Sequence, residues 1–176
     1  GIIAQLRYLP YLTRQAICAI LNRKVMAKSR MMYHYTNKET VLLLKTFGFQ
    51  NFSPEKIEEL GLCNMFGPGV YLTSTDTPGP RVQVIIKTKK VVFLDYNNPE
   101  SVKSFITLVN EVSRDIDSWD IGSIAYKLRA SGYDALEIKV DFNKLSTEDL
   151  EAGIENIFGI EHQLLVFDAN DTEVIP

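Results

Sequence analysis

The chain has 176 residues, of which 45% are hydrophobic, and its formal net charge at pH 7 is -3. This length and composition predict one compact domain that buries about two thirds of its unfolded surface. Basic residues are too scattered to form a stripe that follows a phosphate backbone, so composition does not point to a nucleic-acid partner. Cys18 and Cys63 are the only cysteines, and no ligand spacing surrounds either of them. The sequence therefore predicts neither a disulfide nor a metal site.

Residues 1–30 are predicted to form a helical extension before the main domain. Within them, apolar residues follow helical spacing at Ala16, Ile17, Ile20, Leu21 and Val25. Arg7, Pro10 and Arg14 interrupt the apolar opening, so neither a membrane span nor a signal peptide is expected. Because the chain begins with Gly1, we expect it to be part of a larger protein.

The main domain opens with a strand followed by two short helices. Met31–Thr36 is aromatic and β-favouring, and Thr36 precedes Glu39 by three residues, which is typical of a capping box. This pattern predicts a helix over Glu39–Phe47 that ends at a glycine. Ser53–Gly61 starts with proline in its first turn and predicts a second helix.

A glycine-rich turn comes next, in the run FGPGVYLTS over Phe66–Ser74. Gly67 and Gly69 flank a proline, which predicts a tight turn before a strand that carries Tyr71. The missing side chains would let either a ligand or another backbone approach closely.

The rest of the chain mixes strands and helices without strict alternation. Two β-rich runs within Val82–Tyr96 predict either a hairpin or one long bent strand. The remaining predicted elements are helices over Ser101–Ile116 and Ser123–Gly132, strands over Tyr133–Val140 and His162–Asp168, and an acidic surface excursion over Phe142–Ile157 with one helical stretch. This order predicts an α+β fold with a largely antiparallel or split sheet.

Four motifs in this order resemble the ADP-ribosyltransferase superfamily. They are YHYTN, which contains His34, GPGVYLTS, which contains Tyr71, and the closing runs SGYDALEIK and HQLLVFDANDTEVI. The resemblance is to the diphtheria-toxin and poly(ADP-ribose)-polymerase side, and most of all to polymorphic-toxin domains with a His-Tyr-Asp signature. It spans about residues 31–175 and implies a split antiparallel sheet with flanking helices over residues 31–176.

The resemblance implies a site for NAD, used as a substrate. His34 would bind a ribose hydroxyl through one ring nitrogen while backbone holds the other, and Tyr71 would stack on the nicotinamide. The remaining residues expected to contact NAD are Tyr35, Thr36, Gly69, Thr73 and Ser74.

The third signature position departs from the family pattern. Aligning the end of the last strand places Gln163, which carries no charge, where relatives have an acid. Glu161 lies two residues earlier and would reach the ribose after a short register slip. Either of these two is expected to be the third catalytic residue, ahead of Asp76 and Asp168.

These expectations define a function and its rivals. The first is transfer of ADP-ribose from NAD to a macromolecule, with release of nicotinamide, by a toxin-like effector domain of a larger bacterial protein. The acceptor is expected to be a protein rather than a nucleic acid, the site of action the cytoplasm after secretion, and an immunity protein a further partner. The alternatives are an NAD glycohydrolase, a catalytically inactive NAD-binding or ADP-ribose-binding domain, and a plain interaction domain.

Overall fold

A computed structural model of the chain describes residues 30–60, 66–113 and 121–176. The helix predicted within residues 1–30 and both cysteines lie outside the described residues. Arg30, which the sequence assigned to the extension, is the first residue of strand β1.

The described strands are short. They are β1 (Arg30–Tyr35), β2 (Val70–Leu72), β3 (Arg81–Ile86), β4 (Val91–Asp95), β5 (Ala135–Lys139), β6 (His162–Val166) and β7 (Thr172–Val174).

The described helices are α1 (Lys38–Phe47), α2 (Pro54–Leu60), α3 (Pro99–Val112), α4 (Ile124–Ala130), α5 (Thr147–Glu151) and α6 (Ile154–Phe158). Single 3₁₀ turns cover Ile121–Ser123, Phe142–Lys144 and Ala169–Asp171.

The strands form two sheets, one with the order β1-β3-β7 and one with the order β2-β6-β5-β4. All pairings are antiparallel except β4 with β5, which run parallel. An isolated antiparallel bridge between Tyr33 and Thr73 joins β1 to the end of β2. The expected α+β class and mostly antiparallel pairing are thus confirmed.

Two hydrophobic cores hold these layers together. The inter-sheet core is formed by Met32, Val84 and Ile86 from the three-stranded sheet with Leu72, Leu164 and Val166 from the four-stranded sheet. The helix-side core is formed by Leu136, Ile138 and Leu165 of the four-stranded sheet with Ile106, Leu128 and Phe158 of the helices. Because side chains alternate along a strand, each strand of the four-stranded sheet contributes to both cores.

Local signals placed most helix boundaries well. Helix α1 ends before Gly48, whose φ of 72° suits glycine, as the sequence predicted. Its start was predicted wrongly, because the side chain of Asn37, and not that of Thr36, caps the helix by accepting from the N–H of Thr40 at 2.8 Å.

The structure differs from the sequence prediction in one sheet assignment, one strand and one helix. The two runs within Val82–Tyr96 are neither a hairpin nor one bent strand, because β3 and β4 belong to different sheets. Strand β7 was not predicted. The acidic excursion contains two helices instead of one, and it is not wholly superficial, since Ile154 is buried in the helix-side core.

Candidate functional site

The two sheets meet at β1 and β2 and then separate. Two backbone hydrogen bonds join Tyr33 and Thr73, at 2.8 and 2.9 Å. Beyond this bridge, the described strands β1 and β2 form no further pairing toward Tyr35 and Val70. The strands that separate here carry the first two motifs, with His34 on β1 and Tyr71 on β2.

His34 spans this separation through its side chain. Its Nδ1 lies 2.9 Å from the backbone carbonyl oxygen of Tyr71, and its ring contacts the edge of Phe49 at a centroid distance of 5.0 Å. A carbonyl oxygen can only accept, so Nδ1 carries the proton and donates. Burial lowers the pKa of the His34 imidazole, although the hydrogen bond to Tyr71 opposes this effect.

The other ring nitrogen of His34 is therefore a bare acceptor when the ring is neutral. Among the described residues, none forms a hydrogen bond with His34 Nε2. This arrangement can accept a hydrogen bond from a hydroxyl group of a ligand. The expectation that backbone holds one nitrogen of His34 agrees with this bond, and the ribose as ligand of the second nitrogen stays a prediction.

The ring and hydroxyl of Tyr71 are less accessible to a ligand than the sequence suggested. Its ring packs against the helix-side core, whereas its neighbours Val70 and Leu72 face the inter-sheet core. Its hydroxyl donates to the carbonyl of Gly67 at 2.5 Å and accepts from the N–H of Phe66 at 3.3 Å. The phenol therefore lies on the helix side of its sheet, whereas the imidazole of His34 contacts Phe49, which packs against the inter-sheet core. This packing gives no support to the expectation that both rings face one cleft.

The close approach of strand β6 explains why residue 69 is a glycine. Its φ is 152°, and a Cβ there would lie 2.5 Å from the carbonyl oxygen of Val166 and 2.5 Å from Leu165. Of the two explanations left open by the sequence, close approach of a backbone accounts for this glycine. Its predicted contact with NAD stays a prediction.

Tyr35 and Thr36 anchor the loop that follows β2. The Tyr35 hydroxyl donates to the carbonyl of Thr75 at 2.7 Å and accepts from the N–H of Thr77 at 2.7 Å. The backbone N–H of Thr36 donates to the carbonyl of Pro80 at 3.2 Å. The backbone that would face nicotinamide is thus held beside the separation of the sheets.

Thr73 and Ser74 already use their hydroxyl groups within the protein. Thr73 is buried, and its hydroxyl donates to the carbonyl of His162 at 2.8 Å. Ser74 is exposed, and its hydroxyl is hydrogen-bonded to Nδ1 of His162. A ligand would have to replace these contacts.

Both favoured candidates for the third position are hydrogen-bonded to backbone groups. Gln163 points to the helix side, and its Nε2 donates to the carbonyl of Phe158 at 3.4 Å. Glu161 is exposed, and its carboxylate accepts from the N–H of Phe142 at 3.3 Å. In the part of the chain that the structure describes, no hydrogen bond or ion pair joins either residue to His34.

The two less favoured acids are held by neighbouring cations. Asp76 pairs with Arg81 in the loop after β2. Asp168 accepts from Asn51 at 2.8 Å and from Arg129 at 3.2 Å. The hydrogen bond from Asn51 is the main reason that the pKa of Asp168 is lowered.

A cavity of about 120 Å³ lies beside Gly69, between the segment after α1 and helix α4. Phe52, Tyr126, Arg129 and Phe167 are among the residues that line it. Sites for drug-sized ligands and cofactors have volumes of about 300 Å³ or more, so this cavity has room for a single ring and not for a whole dinucleotide.

One polar cluster was not predicted from the sequence. No role was assigned to His162 or Glu137, yet Nε2 of His162 lies 2.7 Å from a carboxylate oxygen of Glu137. An acid between the apolar residues Leu136 and Ile138 is the signal that would have drawn attention to it.

Comparisons with protein-family models and with curated proteins find no match for this chain. Within the described residues, no group of three or more His, Cys, Asp or Glu is placed to hold a metal ion. None of the helices described is long and apolar enough to cross a membrane.

Proposed function

We propose that this protein is an NAD-dependent ADP-ribosyltransferase. It would break the bond between the ribose C1′ and nicotinamide and form a new bond from C1′ to a nucleophile of a macromolecular acceptor. The observation that carries the proposal is the state of His34, a neutral ring anchored to Tyr71 through Nδ1, with Nε2 left as an acceptor where the two sheets separate.

In this mechanism His34 orients the substrate. Nε2 accepts a hydrogen bond from a ribose hydroxyl and so fixes the sugar before the glycosidic bond breaks. The backbone next to His34 is positioned by the bonds of Tyr35 and Thr36 to the loop after β2, which keeps it in place for the nicotinamide amide. NAD would lie beside His34, where the pairing of β1 with β2 stops, and not in the cavity beside Gly69, which is too small for it.

Tyr71 contributes to this proposal through its backbone and not through its ring. Its backbone carbonyl positions His34, but its hydroxyl and one side of its ring are committed to the fold. Stacking on a nicotinamide bound at His34 would need the ring to turn away from the helix side of its sheet, so the proposal rests on His34 and not on this ring.

The acceptor side of the reaction is the least supported. A carboxylate near the ribose stabilises positive charge in the transition state, and neither Gln163 nor Glu161 shares a hydrogen bond or ion pair with His34 in the described part of the chain. This observation favours a second candidate function, a domain that binds NAD or ADP-ribose without transferring it. Hydrolysis of NAD by water is the third.

The setting proposed for the enzyme follows from the resemblance to polymorphic toxins. The domain would act as an effector in the cytoplasm of a target cell after delivery as part of a larger protein. A protein acceptor and an immunity protein would be its macromolecular partners.

Release of nicotinamide from NAD tests the proposal. His34→Asn places an amide N–H where Nδ1 was and removes Nε2, so the bond to the Tyr71 carbonyl survives while the ligand contact is lost. We expect kcat/KM to fall about 100-fold in His34→Asn and to stay at the wild-type value in Lys103→Ala, an exposed site on α3.

The same assay separates the alternatives. Loss of turnover in Glu161→Ala but not in Gln163→Ala would identify the carboxylate, and the opposite result would identify the amide. Nicotinamide release with no labelled macromolecule in a cell lysate would indicate a glycohydrolase. Binding of NAD without any turnover would indicate the inactive domain, and neither binding nor turnover would reject the proposed NAD site.

A further inference from the structure

A second polar cluster lies where β2 ends and β6 begins. The hydroxyl of Ser74 is hydrogen-bonded to Nδ1 of His162, and Nε2 of the same ring lies 2.7 Å from Oε2 of Glu137. Arg30 holds the Glu137 carboxylate with two hydrogen bonds, at 3.0 and 3.2 Å. A hydroxyl, an imidazole and a carboxylate thus form one continuous hydrogen-bonded chain.

The charge state of the Glu137 carboxylate decides where the protons lie in this hydrogen-bonded cluster. Although burial raises the pKa of the Glu137 carboxyl, hydrogen bonds from His162 and Arg30 outweigh burial and lower it to about 2. An ionised carboxylate only accepts, so Nε2 of His162 carries the proton. In the neutral ring Nδ1 is then the acceptor, and the hydroxyl of Ser74 must be the donor.

The exposure of the three side chains increases from the carboxylate to the hydroxyl, as a nucleophilic serine requires. The side chain of Glu137 is 11% exposed and that of His162 is 18% exposed, whereas Ser74 is an exposed residue. The acid is shielded, the base is partly shielded, and the hydroxyl is open to a reactant. The backbone of His162 is fixed by the hydrogen bond from Thr73 at 2.8 Å.

We propose that Ser74 is a base-activated nucleophile, with His162 as its general base and Glu137 as the residue that orients the base, and that it reacts with small activated acyl esters. The order of carboxylate, imidazole and hydroxyl is that of a serine hydrolase, with the two ring nitrogens exchanged. NAD takes no part in this reaction, although Ser74 is also one of the residues expected to contact NAD.

The reaction proceeds in two balanced steps. The Ser74 oxygen attacks the ester carbonyl while its proton moves to Nδ1 of His162, and the bond to the leaving alcohol then breaks as that proton passes to the alcohol oxygen. Water next attacks the acyl-serine ester, again giving a proton to Nδ1. The proton returns to the Ser74 oxygen as the carboxylic acid leaves, so the net reaction is hydrolysis of one ester.

Covalent labelling with diisopropyl fluorophosphate, followed by peptide mass mapping, tests the nucleophile directly. Ser53 is a matched control, since it is exposed and its hydroxyl accepts only a backbone bond from Lys56 in the described structure. We expect labelling at Ser74 and not at Ser53, with no labelling at this position in Ser74→Ala. Hydrolysis of p-nitrophenyl acetate should fall to the background rate in Ser74→Ala and stay unchanged in Ser53→Ala.

His162→Gln tests the role of the base, with thermal unfolding used to confirm that the variant is folded. We expect the labelling rate at Ser74 to fall at least about 100-fold. Added imidazole should restore part of that rate in His162→Ala, which a purely structural role would not explain. The proposal is overturned if Ser74 reacts no faster than Ser53, or if folded His162→Gln is labelled at the wild-type rate.

Discussion

The imidazole of His34 donates from Nδ1 to the backbone carbonyl of Tyr71 over 2.9 Å, and this bond crosses the point where the two sheets separate. One residue comes from the first motif and the other from the second. The bond fixes the tautomer of His34 and leaves Nε2 as an acceptor. The hydrogen bond between His34 and Tyr71 therefore sets the protonation state that the proposed binding of a ribose hydroxyl requires.

Acidification should weaken the fold through His34. Burial lowers the folded-state pKa of this ring below its ordinary value of 6.5, so the unfolded chain takes up the proton first. The contribution of the neutral ring is complete above about pH 6.5 and is lost as the pH falls through the lowered folded pKa. Urea unfolding at about pH 7.5 and about pH 5 should show a larger loss of stability in wild type than in His34→Asn. Equal losses in the two proteins would contradict this account.

Glu137 should be a major electrostatic contributor to stability. Removing one partner of a buried ion pair leaves the other uncompensated, so Glu137→Gln should lower the free energy of unfolding by about 3 kcal/mol near neutral pH. The carboxyl pKa is lowered from 4.5 to about 2, despite burial that raises it, by hydrogen bonds from His162 and Arg30. The difference between variant and wild type should therefore shrink as the pH falls from about 4.5 toward 2.

Glu173→Gln is the control for that measurement. Glu173 pairs with Lys87 at 3.0 Å, but both side chains are more than half exposed. Such surface pairs contribute less than about 1 kcal/mol. A cost for Glu137→Gln no larger than that for Glu173→Gln would show that the Glu137 cluster does not stabilise the fold.

Gly69→Ala should be far more damaging than Gly79→Ala. The two glycines have similar backbone angles, with φ of 152° and 139°, but a Cβ at Gly69 would meet Val166 and Leu165, whereas nothing lies within 4 Å at Gly79. We expect a loss of about 1 to 2 kcal/mol at Gly79 from strain alone, and of roughly 3 to 5 kcal/mol at Gly69. Chemical denaturation measures both, and equal losses would mean that β2 and β6 can move apart at no cost.

Tyr71→Phe separates the hydroxyl of this residue from its ring. The variant loses the bonds to Gly67 and Phe66, which should lower the free energy of unfolding by about 1 kcal/mol. The aromatic face remains, so nicotinamide release should be close to the wild-type rate. Loss of turnover in a stably folded Tyr71→Phe protein would instead place the hydroxyl in the reaction.

Features encoded within a few residues could be predicted from the sequence. The strand around His34, the proline at the start of α2 and the glycine after α1 each follow from local backbone preferences. The α+β class followed from the order of these elements. The wrong capping residue, Thr36 in place of Asn37, is an error of one position within a correct local signal.

Contacts between distant strands could not be predicted in the same way. Periodicity shows which side chains share a face, but it does not show which strand lies beside that face. It therefore missed the transfer of the chain from one sheet to the other between β3 and β4, and the placement of the Tyr71 ring against the helix-side core.

By itself, then, the sequence determined the local elements, the fold class and the motifs around His34 and Tyr71. Only the tertiary structure decided which nitrogen of His34 is held, why Gly69 must lack a side chain, and that Ser74, Glu137 and His162 meet. The physical reason is that these features depend on strand pairings between residues far apart in the chain. Such pairings are selected by the packing of the whole sheet and not by any neighbouring residue.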